Sequence, residues 1–574
     1  MKLRSKDLKL GKIKSKVNKT LSRFEKKEII KRIWEKDATV WKKGEKHAEV
    51  ISNRLGWLSL PYTMTNNVYE INEFTREVIE EGYTTAVLLG MGGSSMGPEV
   101  LSSVFGTADG YLKLHVLDTT DPGSIQRIYE SIELSKTIFL VASKSGSTIE
   151  VDSLFRFFFE KVSAVNTKEA GRQFVAITDA DTKLQELANE KGFRKVFTNP
   201  SDIGGRYSVL SYFGLVPASL LGIDLIEFLK NAGNMMNMCS NLDPSENPGA
   251  IIGIIAGIAA GEKKDKLTFF YSENLKSFGN WVEQLIAEST GKENTGILPV
   301  VGEMAGKSKE YSSDRIFVNT SLGKSEELKK SVSSLVKKGY PAININLANR
   351  YDVAGQFYLW EFATAVMGVM LGINPFDEPN VKESKDNTTL VLKDFDEKGS
   401  LSEEKILMSD GTISASMNVG AGKLKIKSNL KIGMSDIIDG FLFLKTKGDY
   451  FAIMAYIDGD VKNKRILDKI REMLRKNMKS AVTVGFGPRF LHSTGQYHKG
   501  GPDKGMFIQF VCKDENDLII PGKKYSFGTL KNAQAIGDYK SLCSWKRRIL
   551  RIDLGSDAHK GLEKFYGYLK KAIG

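Results

Sequence analysis

The sequence predicts an α/β protein. It has two doubly wound parallel-sheet units, each of three αβα layers, with an N-terminal helical segment before them and a C-terminal α+β region after them. Two observations carry that expectation. From residue 84 short apolar runs alternate with helix-length stretches, and from about residue 248 a second alternation of the same kind follows. Apolar runs without polar alternation suit strands buried on both faces, which is the parallel-sheet case. The expected units are residues 1–70 (basic arm and helical segment), 71–235, 236–390 and 391–574.

Residues 20–82 have a charged, helical pattern, with Trp34, Trp41 and Trp57 as packing anchors. The first strand candidates are TTAVLLG (84–90), KLHVLD (113–118), TIFLVAS (137–143), QFVAITD (173–179) and KVFTN (195–199). Helix-length segments such as SIQRIYESI (124–132) and TKLQELANEKG (182–192) separate them. The second set is KLTFFYS (266–272), DRIFVNT (314–320) and PAININL (341–347), with helices at 278–290, 325–338 and 354–371. AIIGIIAGIAAG (250–261) is too short for the ~18 apolar residues of a membrane span and suits a buried helix. After Pro379 the texture changes. Residues 386–425 are polar, and KDFDEKGSLSEEK (393–405) reads as a loop or exposed hairpin. Then come the apolar runs FLFLKT and YFAIMAYI, a helix at 464–478, the run SAVTVGFG, and a final helix within 556–574 whose basic end suits its dipole.

With 41% hydrophobic and 26% charged residues the chain is of ordinary globular composition, and no stretch is apolar enough to imply a membrane partner. Cys239, Cys512 and Cys543 form no metal or redox spacing, which points to a reducing, cytoplasmic setting. The net charge of +13 is concentrated at the start: residues 1–33 hold thirteen Lys/Arg against three Asp/Glu. Such an arm can bind nucleic acid, but a solvated, mobile terminus is the preferred reading.

Five stretches are candidates for chemistry. LLGMGGSSMGP (88–98) joins a strand to a helix, where glycines admit close backbone approach and a helix N-terminus favours an anion. It lacks the GxGxxG frame of a dinucleotide site, and a structural glycine turn and a phosphate site both remain open. SKSGSTIE (143–150) crowds hydroxyls at Ser143, Ser145, Ser147 and Thr148 beside Lys144, which favours a phosphate cradle over a single N-cap. GGRYSVLSYFGL (204–215) puts Arg206 ahead of an apolar helix, as an anion partner or a structural salt bridge. WVEQLIAESTGK (281–292) places Glu288 on the same helix face as Gln284, either solvent-facing or aimed at a substrate. His492 and His498 lie in RFLHSTGQYHKGG, whose composition fits a loop and whose spacing does not suit a zinc pair on one helix face.

These stretches together resemble the glucose-6-phosphate isomerase family. The matching residues are GMGGSSMGP (90–98), SKSGSTIE (143–150), GGRYSVLSYFGLVPASLLGID (204–224), QLIAESTGKENTGILP (284–299), INPFDEPNVKESK (373–385) and LHSTGQY (491–497). RIWEKDATVW and NRLGWLSLP near the start resemble the isomerase half of transaldolase-fused members. A transaldolase barrel of about 250 residues has no room here, so an isomerase unit standing alone is expected.

The resemblance implies two sugar-isomerase (SIS) domains, no metal, no organic cofactor, a homodimer, and interconversion of glucose 6-phosphate and fructose 6-phosphate. It implies Glu288 as the base that moves a proton through a cis-enediol, and Arg206 as the group that stabilises the enediolate. His492 and Lys385 match the ring-opening residues. Gly93, Ser94, Ser143, Lys144, Ser145 and Thr148 match phosphate-side positions, and Gln284 a substrate contact. The order Glu288, Lys385, His492 departs from the common layout, which leaves His492 free to serve its own subunit or a neighbour's, with His498 as a competitor. Two rival readings stand beside this one: an isomerase acting on mannose 6-phosphate or on both sugars, and a non-catalytic sugar-phosphate sensor.

Overall fold

TAVLLG at 85–90 has no polar side chain after Thr85, and every residue from Ala86 on is buried. It forms the second strand of a five-stranded sheet in the order Lys113–Leu117, Thr85–Gly90, Thr137–Ala142, Phe174–Asp179, Lys195–Asn199, all parallel. The boundaries fall within one or two residues of those read from the sequence. Burial on both faces explains why the apolar runs are unbroken. The structure is a computed structural model that describes residues 6–166, 169–323, 325–402, 404–422 and 432–574.

The second sheet runs Leu8–Lys9, Ala342–Leu347, Arg315–Leu322, Lys266–Tyr271, Leu298–Val300, parallel except for its first strand. Helices Pro248–Gly261, Leu225–Cys239 and Asp352–Leu371 pack together beside it. The last is buried from Val353 to Gly368, consistent with an apolar character all round the helix. Gly253 lets two of these helices touch: a Cβ there would meet the Ala363 carbonyl at 2.6 Å.

A third sheet lies in the C-terminal region, in the order Met408–Ser409, Ser414–Val419, Arg548–Asp553, Gly505–Val511, Tyr450–Tyr456, Val482–Phe486. Four of its strands are mutually parallel and the first two pair antiparallel, so this region mixes α/β winding with a hairpin. FLFLKT and YFAIMAYI, similar as sequences, part ways. The first begins in the helix Met434–Phe443, which buries Ile437, Ile438 and Phe441, and the second supplies the strand Tyr450–Tyr456.

Two expectations need correction. The basic N-terminus is not a free arm. Residues 8–9 add a strand to the second sheet, and the helix Lys14–Lys26 buries Val17, Thr20 and Phe24 while Lys14, Lys16, Lys19 and Arg23 face solvent. Apolar residues at spacings of three and four outweigh the charge run between them. Its first five residues lie outside the described residues. KDFDEKGSLSEEK is not a loop throughout either, because the helix Val381–Lys398 extends through its first six residues and buries Val391 and Leu392. The hairpin follows later, with Met408 opposite Ala415. Positions 423–425 of the expected polar stretch are outside the described residues. Trp41 and Trp57 anchor as expected, the first donating from Nε1 to the Ala365 carbonyl at 2.7 Å.

Candidate active site

The helix Lys276–Thr290 is buried from Trp281 to Thr290, so its polar residues face protein or a site rather than bulk water. Gln284 and Glu288, four apart, share one face. Gln284 Nε2 donates to Glu288 Oε2 at 3.2 Å and to the His492 backbone carbonyl at 2.7 Å. Burial pushes the Glu288 carboxyl above its ordinary value. Arg206 and His492 oppose that push, and the negative charge of Glu378 adds to it.

Arg206 comes from the turn Gly205–Tyr207 and is itself buried. Its Nε donates to Ser289 Oγ at 2.7 Å and its Nη2 to the carbonyls of Pro375 and Asp377, each at 2.9 Å. Nη1 lies 2.9 Å from Glu378 Oε2 and 3.9 Å from Glu288 Oε2. Burial works against the guanidinium charge, but Glu288 and Glu378 outweigh it and hold the group above its ordinary value.

His492 closes the short turn Arg489–His492, and its Nε2 is 3.0 Å from Glu150 Oε1. Glu150 also accepts from Gln534 Nε2 at 2.7 Å, and Thr120 Oγ1 donates to Gln534 Oε1 at 2.8 Å. Burial raises the Glu150 carboxyl, yet His492 and the charge of Lys385 bring it below the usual carboxylate range. Lys385 is exposed on the helix Val381–Lys398. His492 therefore reaches the Glu288 side within one chain.

The two loops lie at strand carboxyl ends, where open α/β sheets bind ligands. Gly92, Gly93 and Ser94 form a tight buried turn, Gly92 at φ +57°. A Cβ on Gly92 would meet Gln284 Nε2 at 2.8 Å and the His492 carbonyl at 3.0 Å, and one on Gly93 would run into the Gly205 carbonyl. The glycines are thus needed to let this turn pack against the Glu288 and Arg206 segments. In the second loop Ser143 Oγ and Thr148 Oγ1 are 3.0 Å apart, as are Ser145 Oγ and Ser147 Oγ at 3.2 Å. Thr148 stands at the N-terminus of the helix Ile149–Val165 without capping it through its side chain, so its hydroxyl remains turned to the loop. Lys144 is turned instead to Asp179 and to the Ser201 carbonyl.

Glu288, Arg206, Gln284, His492, Gly93 and Ser94 converge, with the hydroxyl loop leading into the helix that carries Glu150. His498 does not join them. It is 3% exposed and packs among Tyr450, Phe490 and Phe507, with burial holding it well below its ordinary value, so it is a core histidine. Glu150, Glu378, Ser289 and Gln534 contact the site and were not singled out from the sequence. The first three lie inside stretches already quoted, but their partners are remote in the chain. A raised, buried carboxyl beside a fixed guanidinium suits proton abstraction next to a carbonyl, with the cation placed for the developing oxyanion. Among the described residues no group of three or more His, Cys, Asp or Glu is placed to hold a metal ion, and no helix is long and apolar enough to cross a membrane.

Residues 70–307 match the family model described as Phosphoglucose isomerase, a region that includes Arg206 and Glu288 but ends before Lys385 and His492. A glucose-6-phosphate isomerase of Campylobacter jejuni is 29% identical over 392 residues, covering 60% of this chain and 93% of that protein. One from Methanocaldococcus jannaschii is 28% identical, covering 53% and 83%. Among solved structures, a hypothetical protein from Thermus thermophilus aligns with a TM-score of 0.58 at 24% identity, over 68% of this chain and 99% of that one. A glucose-6-phosphate isomerase from Chlamydia trachomatis aligns at 0.50 and 19%, over 64% and 78%, and both show a shared fold. Over residues 70–307, less than half of the chain, the protein is therefore similar to the phosphoglucose isomerase family, and the relatives extend that similarity over 53–60% of the chain at 28–29% identity.

Proposed function

We propose that the protein interconverts glucose 6-phosphate and fructose 6-phosphate by ring opening and proton transfer through a cis-enediol. The observation that carries this reading is the buried pair of Glu288 and Arg206, 3.9 Å apart, with the His492 backbone tied to the Glu288 helix through Gln284 and the Gly92–Ser94 turn packed against both segments. Glu288 takes the proton from one of the two carbons and returns it to the other. Arg206 balances the charge that develops on the oxygen. His492, oriented by Glu150, and Lys385 exchange protons with the ring and carbonyl oxygens. Gly93, Ser94, Ser143, Lys144, Ser145 and Thr148 receive the phosphate, which holds the reacting carbons against the base. Gln284 keeps Glu288 and the His492 backbone in register.

The reading includes no metal or organic cofactor, a homodimer in the cytoplasm, and units divided near residues 70, 235 and 390. The buried free thiols of Cys239 and Cys512 are in keeping with a reducing compartment. The test is a coupled assay for glucose 6-phosphate formed from fructose 6-phosphate in the presence of EDTA. Wild type should turn over, and mannose 6-phosphate should be a poorer product. A folded wild type without activity on either sugar would favour a sugar-phosphate sensor.

A further inference from the structure

Arg206 serves two carboxylates with one nitrogen. Its Nε and Nη2 are committed to Ser289 Oγ and to the carbonyls of Pro375 and Asp377, which fixes the guanidinium plane. Nη1 is left to choose between two acids. It is in hydrogen-bond contact with Glu378 Oε2 at 2.9 Å, and at 3.9 Å from Glu288 Oε2 it is beyond that range.

The segment that carries Glu378 is held in place. Lys292 Nζ donates to Asp377 Oδ1 at 2.7 Å, and Asn374 Nδ2 donates to Asp377 Oδ2 at 3.0 Å. The Glu378 side chain is 47% exposed, against 10% for Glu288. A half-exposed carboxylate is screened by water and adds little stability to a buried arginine. What its position does change is the setting of the other acid. A carboxylate gripped by a guanidinium has its charged form stabilised and becomes a weaker proton acceptor.

We propose that Glu378 is a positioning residue for the isomerisation: by occupying Nη1 of Arg206 it holds the guanidinium out of hydrogen-bond range of Glu288, which leaves the base without a cationic donor until the substrate oxyanion draws the arginine. This rests on the isomerase reading above. The titratable and charged groups facing Glu288 are Arg206 from the turn Gly205–Tyr207, Glu378 from the segment after the helix Asp352–Leu371, and His492 from the turn Arg489–His492. Its own helix contributes the neutral Gln284. Burial and the charge of Glu378 raise the Glu288 carboxyl while Arg206 and His492 lower it, in keeping with the geometry.

Glu378→Gln keeps the shape and an acceptor oxygen but removes the charge, whereas Glu378→Asp keeps the charge. The first readout is the acid limb of kcat/KM. The second is an infrared titration of the Glu288 carboxyl, isolated by difference against the matching Glu288→Gln protein. In Glu378→Gln both should move to lower pH, by about one unit for the loss of a neighbouring like charge. kcat should fall by about three- to tenfold with KM little changed, and Glu378→Asp should stay near wild type. Titrations of Glu378→Gln that superimpose on wild type overturn the proposal, even if thermal stability drops. An inactive wild type removes the catalytic role, while the infrared arm still reports whether Glu378 sets Glu288, so the two failures are distinguishable.

Discussion

His492 Nε2 and Glu150 Oε1 are 3.0 Å apart, and that contact gives the two site carboxylates opposite environments. Glu150 pairs with the imidazole and with Gln534 and is held below the usual carboxylate range, whereas Glu288, short of a full partner, is pushed above it. Carboxylates driven apart in this way mark different proton-handling roles.

Glu150→Gln should therefore damage ring opening more than isomerisation. Without the negative charge the imidazole loses its fixed orientation, and turnover of fructose 6-phosphate should fall by about a hundredfold. A four-carbon sugar 4-phosphate cannot close a ring, because phosphate occupies the oxygen that would close it, and its turnover should fall far less. Steady-state rates on both substrates check this. Equal losses would remove Glu150 and His492 from the ring-opening step.

Gly93→Ala should misplace Arg206 rather than unfold the chain. The added methyl meets backbone of the Arg206 turn, including the Arg206 nitrogen at 2.9 Å, and backbone cannot rotate aside as a side chain does. A displacement of about 1 Å at the arginine is expected to cost about a hundredfold in kcat/KM. Far-UV dichroism should remain as in wild type.

Stability should fall with rising pH at Glu361. This residue is fully buried in the helix Asp352–Leu371, neither carboxyl oxygen has a hydrogen-bond partner among the described residues, and burial holds it well above its ordinary value of 4.5. The folded state keeps the proton while the unfolded state releases it above that ordinary value. The unfolded state therefore binds fewer protons, and stability is lost as pH rises from 4.5 towards the raised folded value. Glu361→Gln abolishes that contribution. Denaturant midpoints measured from pH 5 to 9 should decline less in the variant than in wild type, and parallel declines would place the carboxylate's charge in contact with solvent.

The five strands of the first sheet and the three longer strands of the second were legible because burial on both faces leaves an unbroken apolar signature, whereas Leu8–Lys9 and Leu298–Val300, two and three residues long, are too short to leave one. Glu288, Arg206 and the two loops were legible as motifs because their residues are contiguous. What the sequence hid is long-range. Glu150 ends a quoted stretch, but its partner Gln534 lies 384 residues on. Glu378 sits in a recognised segment, yet only the folded chain puts it on Nη1 of Arg206. His498 looked like a loop residue because glycines and polar residues surround it, and tertiary packing buried it. The helix Val381–Lys398 was missed because few apolar residues mark its buried face, among them Val391 and Leu392.

The most direct measurement of the central claim is solvent deuterium uptake at C2 of glucose 6-phosphate formed from fructose 6-phosphate, in wild type and Glu288→Gln. Wild type should incorporate deuterium at C2 during turnover, because the shuttled proton sits on an exchangeable carboxyl. Glu288→Gln should lose exchange and isomerisation together by several orders of magnitude, the usual scale for a base with no substitute. It should still bind fructose 6-phosphate by calorimetry, since the amide preserves shape. Exchange at the wild-type rate in Glu288→Gln would contradict the account and place the base elsewhere.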